Sequence, residues 1–319
     1  HFTDILGHSS VINRVIHNAI QFSKVDSTVL IIGETGVGKE MFAQSIHNAG
    51  PRAAGPFVAV NCAVLPENLL ESELFGYAEG AFTGARKQGR AGLFELAHGG
   101  TIFLDELAEM LPSLQSRLLR VLEEKEVMRL GDEQVIPIDV RVIAATNKDL
   151  EQLMANNEFR ADLFYRLNVL KIVVPPLRER REDIPLLANY FLKKYSLQLD
   201  KEVEVFSEKV LQSLMSYPWP GNIRELENFI ERIVVLASDR IITQDDIQSV
   251  YLDFLGDKTG KQNIKKEINI SKEDLNAVEE QQIKKVLEET NYNYTRAAQI
   301  LGINRTTLWR KRKKIEQDK

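Results

Sequence analysis

The chain has 319 residues, of which 44% are hydrophobic and 27% charged, a composition typical of a globular protein with roughly two or three domains. Its net charge of −5 excludes a polycation, and no stretch approaches the roughly 18 uncharged apolar residues of a membrane span. Cys62 is the single cysteine, which excludes an internal disulfide and favours a reducing compartment, so we expect a cytoplasmic protein without a secretory signal.

Short apolar runs rich in β-branched residues alternate with amphipathic helical patterns between Thr28 and Val174. Near-continuous apolar strands separated by helices are typical of a parallel sheet that is covered on both faces. The runs cover residues 29–32, 57–60, 101–104, 140–144 and 171–174. We therefore predict an α/β fold with a doubly wound parallel sheet over residues 1–176, closed by Pro175 and Pro176.

A glycine-rich segment follows the first predicted strand and opens a helix. Its glycines allow backbone N–H groups to surround phosphate oxygens, and Lys39 would neutralise the β- and γ-phosphates of ATP. Strand, spacing and lysine together disfavour a chance glycine-rich turn, although Glu40 stands where Ser or Thr usually contacts Mg²⁺. The predicted ATP-binding residues are Gly33, Glu34, Thr35, Gly36, Val37, Gly38, Lys39 and Glu40.

Two acids, Asp105 and Glu106, end the apolar strand at 101–104. Alone they would be solvated acids at a strand end. The glycine-rich segment with Lys39 is a P-loop, however, and after a P-loop the two acids predict a catalytic pair at the carboxyl edge of the sheet. Asp105 would hold Mg²⁺, directly or through water, and Glu106 would polarise the attacking water. Asn147 follows the next strand and could reach the γ-phosphate, although Asn is also an ordinary turn residue there.

The next segment, 177–255, is predicted to be helical throughout from Ile184 to about Tyr251. Its predicted apolar stripe consists of Leu186, Leu187, Tyr190 and Phe191. A rigid proline-containing turn at 217–221 separates two of these helices. Residues 256–270 are polar and rich in lysine, so we predict a linker. A last helical unit follows at 271–319.

The hexapeptide GAFTGA at 80–85 is a loop of small residues with one aromatic, which chemistry alone would make a flexible surface loop. It matches the signature loop of the bacterial enhancer-binding proteins, the sigma-54-dependent activators, and the resemblance extends from about Phe2 to Leu255. That family has an AAA+ P-loop NTPase domain with a helical lid. The resemblance implies that a loop of Gly80, Ala81, Phe82, Thr83, Gly84 and Ala85 contacts sigma-54 in the closed RNA polymerase complex and transmits ATP-driven movement, chiefly through Phe82 and Thr83.

Further residue roles follow from the same resemblance. Family members also carry Glu at the position of Glu40, and Asn61 matches the switch asparagine that pairs with the catalytic glutamate, here Glu106. Arg160 and Arg166 match the arginine fingers, which reach the γ-phosphate on a neighbouring subunit. From the residues alone, a surface ion pair of Arg160 with Asp162 or Glu158 is the alternative.

The lid and the amino terminus also match family motifs. Arg224, within GNIREL at 221–226, matches the sensor II arginine, which contacts the nucleotide of its own subunit. Ile5, Leu6 and Gly7 resemble the stretch that contacts adenine.

The carboxyl-terminal end is basic. Residues 291–319 carry eight Lys and Arg against two acids, a net charge of +6 that leaves −11 for the preceding residues. A basic end on an acidic body favours an anionic partner, with a solvated tail as the alternative. Ala297 and Ala298 allow close helix contact, Gly302 supplies a turn, and the pattern is that of a helix-turn-helix.

This end resembles the Fis-type DNA-binding domain of the same family, including a long dimer-forming helix before it. The resemblance implies binding of double-stranded enhancer DNA, and a basic helical hairpin without a DNA function is the alternative. Trp309 would either pack in the core or contact the backbone. The predicted DNA contacts are Arg296, Arg305, Thr306, Thr307, Trp309, Arg310 and Lys311.

The resemblance therefore predicts an ATP-dependent transcription activator that forms dimers, assembles into a hexamer or similar ring, and remodels closed sigma-54 polymerase to the open complex. An AAA+ remodeller of proteins, such as a protease-associated unfoldase, is disfavoured by GAFTGA and the helix-turn-helix. A DNA-binding regulator without ATP turnover is disfavoured by the complete set of catalytic residues. Family members usually carry a receiver or ligand-sensing domain ahead of the ATPase, so we expect the sequence to be part of a longer chain.

Overall fold

In a computed structural model the chain forms two compact units, residues 1–254 and 255–319. The structure describes residues 1–81, 88–237 and 239–248. Residues 82–85 of the GAFTGA loop, the predicted linker, the helix-turn-helix and all the predicted DNA contacts lie outside the described residues. In the described part of the chain, no helix is long and apolar enough to cross a membrane.

The first unit combines a central sheet, surrounding helices and a helical lid. The helices are α1 (Ser10–Ser23), α2 (Lys39–Asn48), α3 (Glu67–Phe75), α4 (Leu93–Leu96), α5 (Pro112–Glu124), α6 (Leu150–Ala155), α7 (Ala161–Leu167), α8 (Ile184–Gln198), α9 (Glu208–Ser216) and α10 (Asn222–Leu236). The strands are β1 (Val29–Ile32), β2 (Phe57–Asn61), β3 (Gly76–Tyr77), β4 (Arg90–Ala91), β5 (Thr101–Asp105), β6 (Glu126–Met128), β7 (Val135–Pro137), β8 (Arg141–Thr146), β9 (Leu170–Val173), β10 (Val205–Phe206) and β11 (Ile241–Ile242).

The central sheet has five strands in the order β2-β5-β8-β1-β9, and all four pairings are parallel. This confirms the predicted doubly wound parallel sheet. Every residue of β8 is buried, as expected for a central strand that is covered on both faces. Because all five strands run the same way, the residues that follow β1, β2, β5 and β8 meet at one edge.

Alternate side chains of the strands enter two separate apolar clusters, one on each face of the sheet. On β5, Leu104 belongs to one cluster and Phe103 to the other, and on β8 Ala144 and Ile143 divide in the same way. This alternation is the two-residue period of a strand. Burial on both faces fixes the register of every strand, because a slip of one residue would exchange the two sets.

A third cluster forms the core of the lid and is centred on Trp219, which is 1% exposed. The Trp219 indole packs edge-on against Tyr217 and Phe229, and its Nε1 donates to the Leu214 carbonyl at 2.7 Å. The predicted turn at 217–221 lies between α9 and α10, so it is confirmed.

Two details of the lid differ from the sequence prediction. Leu187 and Phe191 of the predicted stripe are buried, but Leu186 and Tyr190 are 40% and 51% exposed, because a stripe of adjacent pairs is wider than the face that α8 buries. A two-residue parallel pairing of β10 with β11 interrupts the region predicted as helical throughout. Strands of two residues are too short to show a period in sequence.

Gln115 on α5 joins three backbone segments in the interior. Its side chain is fully buried, its Nε2 donates to the carbonyls of Met110 (2.8 Å) and Glu158 (2.9 Å), and its Oε1 accepts from the N–H of Arg160 (2.9 Å). One buried amide thus satisfies three backbone groups and holds the residues before α7 against α5.

We expect Gln115→Met to lower the free energy of unfolding by about 1–3 kcal/mol, because it keeps the side-chain volume and leaves buried backbone groups without a partner. Urea denaturation measures the change. Gln21→Met, on the exposed face of α1, is the matched control and should change stability by less than about 0.5 kcal/mol. Equal effects of the two substitutions would contradict this account of Gln115.

Candidate functional site

The glycine-rich segment forms a tight loop between β1 and α2. Gly36 and Gly38 have φ values of +82° and +99°, in the left-handed region that favours glycine. Lys39 is 7% exposed, and its Nζ donates to the carbonyls of Gly33 (2.9 Å) and Glu34 (3.3 Å). The loop therefore curls around the ammonium group and presents the start of α2, which is the arrangement that binds phosphate.

The two predicted acids lie beside this loop. Asp105 ends β5, and its Oδ1 accepts from the N–H of Glu106 at 2.9 Å. Glu106 has a left-handed backbone (φ +49°), and its Oε1 lies 3.7 Å from Lys39 Nζ. The sheet edge thus brings the predicted metal-binding carboxylate, the predicted water-polarising carboxylate and the lysine into one site.

Two asparagines lie where the strands on either side of β5 end, Asn61 as the last residue of β2 and Asn147 directly after β8. Asn147 Nδ2 donates to Thr35 Oγ1 at 3.0 Å, so the polar tip after β8 contacts the P-loop. Asn61 lies opposite Asp105 in the β2–β5 register, and its side-chain oxygen accepts from the N–H of Ala63 at 2.9 Å. Within the described residues no hydrogen bond joins Asn61 to Glu106, so the pairing of the two stays a prediction.

Cys62 follows Asn61 and is 3% exposed. Burial raises the pKa of its thiol to about 12, and the nearby charges of Asp105 and Glu106 act in the same direction. The thiol therefore stays protonated at neutral pH and has the chemistry of a small core residue rather than that of a nucleophile.

A cavity of about 490 Å³ connects the P-loop with the lid. Its volume lies in the range of small-molecule sites, roughly 300–1,000 Å³. The catalytic end is lined by the P-loop, Asn61, Asp105 and Glu106. The other end is lined by residues of the amino terminus and the lid, namely Asp4, Ile5, Leu6, Arg180, Leu187, Tyr190, Phe191, Lys194, Ile223, Arg224 and Glu227. Ile5 and Leu6 of the predicted adenine-contacting stretch therefore line the same cavity as Lys39 and Arg224, whereas Gly7 does not.

The residues present also fit a magnesium ion. Among the described residues no cluster of three or more His, Cys, Asp or Glu could hold a metal ion by itself. Mg²⁺ is usually held by one or two carboxylates together with phosphate oxygens and water. Asp105, at the cavity wall, supplies a carboxylate of that kind.

The two predicted arginine fingers do not line this cavity. Arg160 precedes α7 and forms a bidentate ion pair with Asp162 (3.0 and 2.7 Å), while Arg166 Nη2 donates to the Leu122 carbonyl at 3.0 Å. Both side chains are exposed. An exposed ion pair contributes little to stability, so Asp162 holds Arg160 only weakly.

The residues at the amino end of the GAFTGA loop contact the hairpin that β6 and β7 form by antiparallel pairing. The N–H of Ala78 donates to the Leu130 carbonyl at 2.9 Å, and a Cβ at Gly131 would lie 2.9 Å from the Cβ of Ala81. Arg129 of the same hairpin binds Glu95 with two hydrogen bonds of 2.9 and 2.7 Å. Sequence reasoning missed this hairpin, although Gly131 marked a turn.

Asp183 is a further residue that sequence reasoning missed. Its carboxylate is fully buried and accepts from the N–H of His8 (2.7 Å), the N–H of Ser9 (2.8 Å) and the Ser9 hydroxyl (2.7 Å). Asp183 thereby ties the segment after Ile5 and Leu6 to the start of the lid. In sequence it ends a run of charged residues, which usually indicates a solvated surface.

A parallel sheet with a P-loop, acids at its carboxyl edge and a helical lid over the cavity defines an AAA+ P-loop NTPase. The chain matches the models of three families, described as Sigma-54 interaction domain (residues 5–173), AAA+ ATPase lid domain (178–264) and Bacterial regulatory protein, Fis family (275–314). The chain therefore belongs to the sigma-54-dependent transcriptional activators.

Individual relatives agree with this membership. The chain is 50% identical to the phenol regulator MopR of Acinetobacter guillouiae over 90% of this chain and 52% of MopR, and 46% identical to the regulatory protein AtoC of Escherichia coli over 95% and 66%. It thus spans about half to two thirds of these relatives. A crystal structure of NtrX from Brucella abortus in complex with ATP is similar at a TM-score of 0.71 and 32% identity, covering 98% of this chain and 69% of NtrX.

We expect Asp183→Asn to weaken binding of a fluorescent ATP analogue by about three- to tenfold, because loss of the charge weakens the hydrogen bonds that hold the cavity wall at Ile5 and Leu6. Fluorescence titration measures the change. The control is Glu202→Gln, which removes one charge from an exposed ion pair with Arg240 elsewhere in the lid. Unchanged affinity in Asp183→Asn would show that the anchor does not shape the cavity.

Proposed function

We propose that the chain is an ATP-hydrolysing transcription activator. In a ring oligomer tethered to double-stranded enhancer DNA, it converts the closed sigma-54 RNA polymerase complex into the open complex. One observation carries the proposal. The GAFTGA loop is inserted between β2 and β5, the paired neighbouring strands whose ends hold Asn61 and the acids Asp105 and Glu106.

ATP hydrolysis rests on three groups at the sheet edge. Lys39 would neutralise the transferred phosphate, Asp105 would hold Mg²⁺, and Glu106 would orient the attacking water. The distance of 3.7 Å between Lys39 and Glu106 supports this assignment, because a phosphate bound by the lysine would lie next to the carboxylate. Phosphoryl transfer depends mainly on such positioning and charge neutralisation.

The arginine fingers support an oligomer. Arg160 and Arg166 are exposed and do not line the cavity of their own chain, so the geometry suits delivery to a neighbouring subunit. An arginine supplied in trans can raise the rate by about 10³-fold or more. The exposed pair of Arg160 with Asp162 is weak enough to exchange for a phosphate.

Coupling to the loop follows from chain connectivity. After Asn61 the chain enters α3 and β3, and after the loop it returns through β4 and α4 into β5. A shift of β2 against β5 in response to the γ-phosphate would therefore move both stems of the loop, namely the segment α3–β3 before it and the segment β4–α4 after it. The hairpin β6–β7, packed against Ala78 and Ala81, supports the base of the loop during that movement.

Binding to DNA rests on the carboxyl-terminal residues. The match to the Fis family at 275–314 and the net charge of +6 over residues 291–319 both support contacts to a phosphate backbone. Arg305, Thr306, Thr307 and Arg310 are the residues that we assign to base edges or phosphates, together with Arg296, Trp309 and Lys311.

We expect the native chain to hydrolyse ATP and to form open complexes with sigma-54 polymerase, and Thr83→Ala to hydrolyse ATP without opening promoters. The reason is that the family resemblance assigns Thr83 to the contact with sigma-54 and assigns ATP hydrolysis to other residues. Phosphate release and permanganate footprinting of the promoter measure the two activities. If the native chain and Thr83→Ala both hydrolyse ATP and neither opens promoters, the sigma-54 function is wrong and a general remodeller takes its place.

A complementary substitution tests the catalytic end. Glu106→Gln keeps the size of the side chain and removes the charge that polarises water, so we expect ATP binding within about threefold of the native value and a turnover at least about 100-fold lower. Titration with a fluorescent ATP analogue and phosphate release separate the two effects. A turnover close to the native value would remove Glu106 from the mechanism.

A further inference from the structure

The amino end of α10 is capped by the P-loop as well as by Glu225 of its own first turn, whose Oε2 accepts from the N–H of Gly221 at 2.7 Å. The preceding residue, Gly221, supplies no side-chain cap. Instead the carbonyl of Gly36 accepts from the N–H groups of Ile223 (3.0 Å) and Arg224 (3.4 Å). The first N–H groups of a helix need external acceptors, and here an acceptor comes from the loop that binds nucleotide.

Asn222 lies at the centre of this contact. Its side chain is fully buried, its Nδ2 donates to the Thr35 carbonyl and to Glu34 Oε2, each at 3.1 Å, and its Oδ1 accepts from the N–H of Leu177 at 2.8 Å. One amide thus joins the P-loop, the entrance to the lid and the start of α10. Asn222 also has a φ of +55°, a region that Asn tolerates better than most residues.

Arg178 completes the contact from the exposed side. Its guanidinium forms two hydrogen bonds to Glu34, of 2.8 and 2.6 Å, and Glu34 Oε2 also accepts from Asn222. Chiefly through Arg178, the pKa of Glu34 lies below its ordinary value, so the carboxylate stays ionised at neutral pH. An exposed ion pair alone contributes little to stability. In this pair, however, the Glu34 carboxylate also accepts from the buried amide of Asn222.

The P-loop has the shape that this contact requires. A Cβ at Gly36 would lie 2.3 Å from the Gly221 carbonyl and 3.2 Å from the Cβ of Arg224. Gly36 therefore serves the lid as well as the phosphates, because no larger residue would allow α10 to approach.

We propose that Asn222 is a positioning residue for ATP hydrolysis, which docks the amino end of α10 on the P-loop and thereby places Arg224 at the nucleotide. Asn222 does not line the cavity, whereas Arg224 does, so Asn222 acts through its neighbour. The inference rests on the proposed ATPase function. A displacement of about 1 Å of a catalytic group can cost about 100-fold in rate, so loss of this contact has a measurable effect.

The test compares Asn222→Asp, Arg224→Ala and the double variant by phosphate release and by titration with a fluorescent ATP analogue. Asn222→Asp keeps the acceptor for Leu177 and places a carboxylate against Glu34 and the Thr35 carbonyl. We expect each single variant to lower kcat by about tenfold or more, and the double variant to be no slower than the slower single variant. If the two losses multiply in the double variant, Asn222 does not act through Arg224 and the inference is wrong.

A rescue distinguishes positioning from a general loss of structure. Adding Glu34→Gln to Asn222→Asp removes the repulsion between the two carboxylates and supplies an amide donor, so we expect kcat to recover by about threefold or more. Arg240→Gln, on an exposed ion pair of the same lid, is the control and should leave kcat unchanged. No recovery together with an unchanged thermal unfolding midpoint would contradict the proposal.

Arg178→Ala provides a second route if Asn222→Asp does not fold. It removes an exposed guanidinium that lies outside the cavity, so we expect kcat to fall by about threefold in the native background and to stay unchanged in the Arg224→Ala background. An equal fall in both backgrounds would overturn the inference. A native chain that releases no phosphate would instead contradict the proposed ATPase function.

Discussion

The parallel direction of five strands is the constraint on which the site depends. It brings the P-loop after β1, Asn61 at the end of β2, the acids at the end of β5 and Asn147 after β8 to one edge. From the first of these groups to the last, Gly33 to Asn147, the sequence spans more than 100 residues. Burial of the sheet on both faces makes the register strict, so the distance between Lys39 and Glu106 is set by the apolar core.

The same constraint underlies the proposed response of the GAFTGA loop to nucleotide. The chain segment that contains GAFTGA follows β2 and precedes β5, so it begins and ends on the strands that carry Asn61 and the acids Asp105 and Glu106. In the function proposed above, apolar packing that holds those strands in discrete positions would convert a small change at the γ-phosphate into a movement of the two chain segments that lead to the loop. The contact of Gly131 with Ala81 gives the loop a second support that the strands do not supply.

The lid depends on the P-loop for its own local structure. The first N–H groups of helix α10 donate to the carbonyl of Gly36 in the P-loop. The side-chain amide of Asn222 forms hydrogen bonds with Glu34, Thr35 and Leu177. At the other side of the cavity, Asp183 attaches the amino-terminal segment to the lid. The cavity is therefore bounded by polar contacts between segments, together with the apolar contact of Leu6 with the core of the lid.

Sequence alone determined the fold class and the chemistry of the catalytic edge, because strand periodicity, the P-loop spacing and the acids after β5 are local patterns. It also determined the family, since GAFTGA is a contiguous motif. It did not reveal Asp183, Arg178 or the role of Asn222, because each acts through partners far away in the chain, and an acid, an arginine or an amide in a charged segment usually faces solvent. Only the tertiary structure decided which polar groups are buried together, since that depends on how the lid packs against the sheet.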